Sequence, residues 1–511
     1  MKEIISVEVS TRKVDFEKAK TDLLCVGLLS KGKKLDSSFQ AIDKKLGGII
    51  SNVHKLGDFT GAVKSSIVIY TDNSLAARRV LLVGLGDKKD VTIETIRTAA
   101  AIAASKAVEL KVKSAVLAFS QVIGDKFDTK QVGQALAEGA YFGGYRYDEY
   151  IAKSKDGRAS KLAVTIADSH AAVVRKLAAG VETGGIIGLA QNFGRTIANR
   201  PGNVINPPAL ASVAVKMARE TVGLSCTVLD QKQLKQKKMG GILAVGSGSK
   251  SEPRMIVLKY SPAAKAGSKT KTVALVGKAI TFDSGGISIK PSNGMQDMKF
   301  DKSGGIAVLA AMKAIAQLKP AVKVYGIIPA AENMPSGTSY RPGDIVTTFS
   351  GKTVEIQNTD AEGRMILCDA LAYAVKQKCD TIIDIATLTG ACMVALGKHK
   401  AGLMGNDDKL IKALQAASVS TGEKVWHLPS GDEYADEMKS KIADLKNIGG
   451  RWGGASTAAS FLGNFVEDAK WAHIDMAGVD MFDGGGGIGG VGSTGFGVRL
   501  LTNFVTNQIK K

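Results

Sequence analysis

Histidine is scarce in this chain: His54, His170, His399, His427 and His473 are the only 5 in 511 residues. They form no HExxH pair and no other ligand pair, so a histidine-based zinc site is excluded. Cysteine is equally sparse, with 5 scattered residues at no paired spacing. That argues against a disulfide framework and for a reducing compartment, so a cytoplasmic protein is expected. No apolar run reaches the roughly 18–20 residues that span a bilayer, and no membrane partner is expected. The opening stretch MKEIISVEVSTRKVDFEKAK alternates like a strand and then becomes charged. It lacks the apolar centre of a secretory signal.

What is present is ordinary in bulk and uneven in charge. Hydrophobic residues make up 45% and charged residues 23%, as in soluble globular proteins. At 511 residues the chain is too long for one domain, so two or three are expected. The formal charge is +20. Residues 1–150 hold 23 Lys+Arg against 18 Asp+Glu, and residues 301–511 hold 22 against 22. Residues 151–300 hold 23 against 8, an excess of 15. Such a region can attract nucleic acid. With no basic stretch interleaved with stacking aromatics, a solvated basic surface is the plainer reading.

The apolar runs predict a two-domain α/β protein. DLLCVGLL (Asp22–Leu29), SSIVIYT (Ser65–Thr71), RRVLLVGLG (Arg78–Gly86), SAVLAF (Ser114–Phe119) and KLAVTIA (Lys161–Ala167) read as strands. Thr92–Leu110 carries helical spacing. These define an N-terminal α/β domain over 1–170. A linker helix over 171–199 follows, interrupted at Gly184–Gly185, and the stretch NRPGNVINPPAL marks its end. In the larger domain, 200–511, strands are expected at Gly240–Gly246, Arg254–Tyr260, Thr272–Gly277, Val322–Ala330, Asp380–Thr387 and Trp471–Gly478. Helices such as Gly304–Leu318 lie between them. Continuous apolar strands alternating with helices imply a mainly parallel sheet covered by helices on both faces. Ligands then bind beyond the carboxyl ends of the strands.

Those ends carry charge. TVALVG runs into KAITFDSGG, so Lys278 leaves a buried strand and Asp283 follows. Alone, Lys278 reads as a snorkelling or ion-paired side chain. Lys290 and Asp301 flank a Gly/Asn turn, and Asp301 alone reads as a cap for a helix starting near Ser303. In VEIQNTDAEGRMILCDALAYAV a strand precedes a helix, with Asp360 and Glu362 at its mouth. Arg364 is misplaced there, because a cation opposes the positive end of a helix. Either a bound anion shares Arg364 with the helix N–H groups, or Arg364 pairs with Asp360 or Glu362. Gathered in one pocket, Asp283, Asp301, Asp360 and Glu362 would repel one another and partly protonate. Two divalent metals bridged by shared carboxylates resolve that, in an oxygen-rich site with room for an amine ligand.

GKAITFDSGGISIK, DMKFD, ENMPSGTSYRPGDIV and above all NTDAEGRMILCDAL resemble the leucyl aminopeptidase (cytosol aminopeptidase) family. DTIIDIATLTGA, ADLKNIGGR and WAHIDMAG are similar to its later segments. The close match runs from about Arg200 to Leu501; the N-terminal third resembles the family more weakly. The resemblance implies a two-metal aminopeptidase acting on peptides, with leucine and other apolar residues removed from the N-terminus. Lys278, Asp283, Asp301 and Glu362 would hold a tighter ion, and Asp283, Asp360 and Glu362 an exchangeable one. Mn²⁺ or Zn²⁺ is implied, with Mg²⁺ admissible. Lys290 would polarise the scissile carbonyl, and Arg364 would hold a bicarbonate that shuttles the proton. Met298 matches a wall of the pocket for the first side chain. Thr387, Leu388 and Gly390 match the segment that contacts the peptide. The family is a homohexamer, and some bacterial members also bind DNA, a role the basic 151–300 region could serve.

Two features depart from the family. Ala279 stands where glycine is usual after the lysine, and is tolerable only at negative φ. The tail DGGGGIGGVGSTGFG (Asp483–Gly497) is richer in glycine than expected.

Overall fold

The fold is described from a computed structural model, which describes residues 6–30, 37–120, 126–152, 161–262, 271–482 and 488–508. It divides into two compact units: 1–192 with 484–491, and 193–483 with 492–511. The division falls inside a helix rather than on either side of one.

The first unit is built on six strands: β1 (Ser6–Lys13), β2 (Leu23–Leu29), β3 (Ser66–Tyr70), β4 (Arg79–Gly86), β5 (Ser114–Ala118) and β6 (Lys161–Asp168). Their order is β1-β6-β5-β2-β4-β3. All neighbours are parallel except the β3–β4 pair. The helices Ile93–Glu109 and Thr129–Gly144 bury an alanine-rich core against one face. Thr92 caps the first of them by accepting from Thr95 N.

The expected interruption at Gly184–Gly185 does not occur: Ala171–Asn199 is one continuous helix. Its glycines serve close packing instead. A Cβ on Gly180 would lie 1.9 Å from the Lys130 carbonyl, and one on Gly184 2.4 Å from that of Gln134. Close packing against the neighbouring helix offsets the lower helix propensity of glycine.

The second unit carries β7 (Leu224–Leu229), β8 (Arg254–Tyr260), β9 (Thr272–Gly277), β10 (Ala279–Asp283), β11 (Lys323–Asn333), β12 (Ile345–Thr347), β13 (Thr353–Glu355), β14 (Thr381–Ala386), β15 (Ala401–Gly405), β16 (Val425–His427), β17 (Leu445–Lys446) and β18 (Lys470–Asp475). The large sheet runs β16-β15-β18-β14-β9-β11-β8-β7, with β10 added beside β11. Its centre, β18-β14-β9-β11, is parallel, and antiparallel pairs flank it. Helix Glu362–Lys376 packs on the face bearing Ala274, Val276 and Ile382. Helix Ser303–Leu318 packs on the other face, where glycine makes room for it. A Cβ on Gly326 would meet Met312, and one on Gly304 would lie 2.2 Å from the Ile385 carbonyl.

Gly240–Gly246, expected as a strand, is a helix. A short apolar run does not distinguish the two by period. Here Asp369, on the neighbouring helix, decides: its Oδ2 accepts from Ile242 N at 2.9 Å and so caps the segment. The strand expected over VEIQNTD shrinks to β13, in a separate sheet ordered β12-β13-β17. Ala279 lies in β10 at negative φ, and Gly305 vacates the space for its methyl, since a Cβ there would be 2.7 Å away. In the glycine-rich tail, 483–487 lie outside the described residues. Beyond them Gly492 has φ +83°, and a Cβ on it would lie 2.0 Å from Asn199 Oδ1.

Candidate metal centre

The parallel strands β9 and β14 end side by side, and β10 continues just beyond β9. Lys278 sits between β9 and β10, so its backbone is pinned: its N–H donates to Ile385 O at 3.1 Å. Its side chain is buried. Nζ lies 2.9 Å from Asp301 Oδ1 and 2.7 Å from Glu362 Oε1, and donates to Thr387 O at 2.8 Å. Asp301 follows the 3₁₀ turn Met295–Phe300. It does not cap the next helix, whose N-cap is Lys302, with no side-chain cap bond; the carboxylate turns to Lys278 instead. Glu362 opens helix Glu362–Lys376.

Asp283 ends β10. Its Oδ2 lies 2.9 Å from Lys290 Nζ, and Lys290 also pairs closely with Asp360. Asp283, Asp301 and Glu362 each offer an oxygen within 4.8 Å of the others'. Lysine ammoniums thus stand among the carboxylates on two sides. Burial pushes Asp283, Asp301 and Asp360 above the usual carboxylate range, and the neighbouring acids add to it. The same acids hold Lys278 and Lys290 above the ordinary lysine value, although burial opposes them.

The donor set suits a hard divalent cation. Asp301 Oδ2 and Glu362 Oε2 are buried with no hydrogen-bond partner, which costs free energy unless a cation meets them. The amine is compatible once its proton is displaced, which metal binding does to coordinating groups.

Arg364 is 7% exposed and its Nε and Nη1 are buried without a partner. The pairing with Asp360 or Glu362 does not form as a direct bond among the described contacts. Burial lowers Arg364 to about 10, while Glu362 and Asp475 oppose that shift. Unpartnered guanidinium donors at a helix start suit an anion.

Thr387 joins the set directly, donating from Oγ1 to Asp301 Oδ1 at 2.7 Å. Met298 is half-buried on the turn before Asp301, whose N–H donates to its carbonyl at 3.3 Å. Leu388 lies on the turn after β14 and Gly390 opens the helix Gly390–Leu396 that follows, where a Cβ on it would meet nothing within 4 Å. These three make no described bond to the carboxylates of Asp283, Asp301, Asp360 or Glu362.

Sequence reasoning missed the residues behind the ligands. Asn333 Nδ2 donates to Asp283 Oδ1 at 2.8 Å and to Thr359 O at 3.0 Å, tying the two ligand loops together. Tyr340 OH donates to the same Thr359 carbonyl at 2.8 Å. Asn447 accepts from Gln357 N at 2.8 Å and donates to Asn358 O at 2.6 Å, holding the loop that carries Asp360. Asn333 and Tyr340 lie within ENMPSGTSYRPGDIV and Asn447 within ADLKNIGGR, but no spacing rule separates them from loop polar residues.

Comparison with known proteins agrees with this geometry. Residues 192–502 match the cytosol aminopeptidase family catalytic domain, and 25–155 its N-terminal domain. A "Probable cytosol aminopeptidase" of Pseudomonas fluorescens (strain Pf0-1) is 41% identical over 506 residues, covering 99% of this chain and 100% of that protein. One of Aquifex aeolicus (strain VF5) is 46% identical over 431 residues, 83% of this chain and 84% of its own. Among solved structures, a tomato leucine aminopeptidase mutant superposes with a TM-score of 0.87 at 33% identity, covering 98% of this chain and 96% of its own. The bottromycin maturation enzyme BotP in complex with Mn gives 0.83 at 32%, covering 96% and 99%. The chain belongs to the cytosol aminopeptidase family, and it is a metal-dependent aminopeptidase of the hydrolase class.

Proposed function

We propose that the protein removes the N-terminal residue, leucine and other apolar residues foremost, from peptides at a centre for two divalent ions. Lys278, Asp283, Asp301 and Glu362 would hold the tighter ion, and Asp283, Asp360 and Glu362 the exchangeable one, with Mn²⁺ or Zn²⁺ preferred and Mg²⁺ admissible. The observation that carries this reading is the buried carboxylate trio of Asp283, Asp301 and Glu362, with its unpartnered oxygens. Bound ions would supply Lewis-acid polarisation and a water acidified near neutral pH.

The chain's own residues do the rest. Lys290, half-buried and charged, faces the same acids and stabilises negative charge developing on the scissile carbonyl oxygen. Arg364 holds a bicarbonate, the group that the resemblance names as proton shuttle. Thr387, Leu388 and Gly390 receive the peptide backbone, and Met298 walls the pocket for the first side chain.

Residues 200–511 form the catalytic part, 171–199 the linker helix, and 1–170 an assembly or regulatory domain of a cytoplasmic homohexamer. Among the described residues no helix is long and apolar enough to cross a membrane. The test is direct. Protein loaded with Mn²⁺ or Zn²⁺ should release p-nitroaniline from leucine p-nitroanilide, and Glu362→Ala should abolish this. Failure of the loaded wild type to cleave any unblocked peptide would overturn the reading.

A further inference from the structure

Asp475 ends β18 and pairs in register with Ala386, the last residue of β14. Its carboxylate therefore sits beside the point where the chain leaves the sheet for the turn Thr387, Leu388 and Thr389, which leads into the helix Gly390–Leu396. It is fully buried. Oδ1 accepts from Leu388 N at 3.1 Å, Thr389 N at 3.4 Å and Ala477 N at 3.2 Å. Oδ2 accepts from Thr389 Oγ1 at 2.7 Å. Every partner is a donor, which an ionised carboxylate satisfies with both oxygens.

The opposite side of the turn is fastened independently. Thr387 donates to Asp301 and accepts from Lys278, so it belongs to the ligand set. The turn is thus strung between two acids, Asp301 toward the metal centre and Asp475 behind. Gly390, beyond it, faces open space.

We propose that Asp475 is the positioning residue of the peptide-binding turn: it holds Leu388 and Thr389 so that 388–390 meet the substrate backbone in register with the metals. This rests on the aminopeptidase reading and on the substrate contacts assigned there to Leu388 and Gly390. Because the ligand side of the turn has its own anchors, loss of Asp475 loosens substrate binding without releasing metal. Binding lost equally from ground and transition states raises KM.

The experiment is steady-state kinetics on leucine p-nitroanilide and a leucine-led tripeptide, with metal content measured on the same Mn²⁺-loaded samples. Asp475→Ala should raise KM about tenfold or more, the size of one lost charge-assisted hydrogen bond, at unchanged metal content. Asp475→Asn should recover most of this, because its Oδ1 still accepts from the Leu388 and Thr389 amides. Thr389→Val, which keeps Asp475 but deletes the hydroxyl bond to it together with the helix cap on Cys392 N, should move KM the same way by less, and it carries the test should Asp475→Ala not fold. Unchanged KM in Asp475→Ala, or in Thr389→Val where that variant carries the test, would overturn the proposal. So would joint loss of metal and both kinetic constants with no recovery in Asp475→Asn. An inactive wild type would instead strike at the aminopeptidase reading itself.

Discussion

The ammonium of Lys278 lies 2.7 Å from Glu362 Oε1, with both side chains buried. Without metal, Lys278 is the cation between Glu362 and Asp301; with metal, its amine can turn ligand. Lys278→Met should therefore do two things. It should lower metal content and abolish peptide cleavage. It should also destabilise the metal-free protein by roughly 3–5 kcal/mol, the cost of leaving a buried charge unpaired. Metal analysis and thermal unfolding in chelator, each against wild type, check the two halves.

Lys290 is bound to Asp283 and Asp360 but is half-buried and less enclosed than Lys278. Lys290→Ala should lower kcat by about 10²–10³, as removal of an oxyanion donor does, while metal content stays near that of the wild type. Single-turnover and steady-state rates with matched metal analysis decide it. A parallel fall in metal content would make Lys290 a structural counter-charge instead.

Gly363 supplies a test that replaces none of the proposed ligands. A Cβ there would lie 2.7 Å from Lys278 Nζ and 2.8 Å from Lys278 Cε. The lysine is held by three partners, so it cannot swing aside freely. Gly363→Ala should displace Nζ, weaken metal binding about tenfold or more (about 1.4 kcal/mol), and leave the secondary structure intact. Titration with Mn²⁺ followed by activity and circular dichroism measures both.

Asp369 gives stability a pH dependence. Its carboxylate is buried and is pushed up to about 7 by that burial, against the amides of Phe349, Ile242 and Gly241. In the unfolded chain it titrates near the ordinary value of about 4. Between those values the folded state keeps a proton that the unfolded state has lost. Its contribution to stability is fully present below pH ~4 and is lost as pH rises through ~7. Asp369→Asn should flatten the change in urea midpoint between pH 5 and pH 8. An equal slope in variant and wild type would assign the pH dependence elsewhere.

Much of the architecture was legible because burial leaves a periodic trace. The runs at Arg79–Gly86, Thr272–Gly277 and Thr381–Ala386 are strands within about one residue of expectation. Lys278 and Asp283 stood out because charge at the end of an apolar strand is expensive and needs a reason, while the roles proposed for them came from the family resemblance. Gly240–Gly246 was not, since a seven-residue apolar run suits either period and a distant carboxylate, Asp369, decided between them. The unbroken helix through Gly184 was not legible either, because the close approach to the Gln134 carbonyl exists only after packing.

By itself the sequence determined the family, the α/β class and the acids and lysines of the centre, since these are written in local composition and in short contiguous motifs. Only the tertiary structure decided which group meets which. It turned Asp301 from a helix cap into a partner of Lys278. It left Arg364 with unpartnered donors in place of an ion pair. It brought Asn333, Asn447 and Asp475 up behind the loops. The bonds of Asn333 to Asp283, Asn447 to Asn358 and Asp475 to Leu388 join residues 50, 89 and 87 positions apart, and a hydrogen bond across such a separation leaves no period or spacing in the chain that makes it.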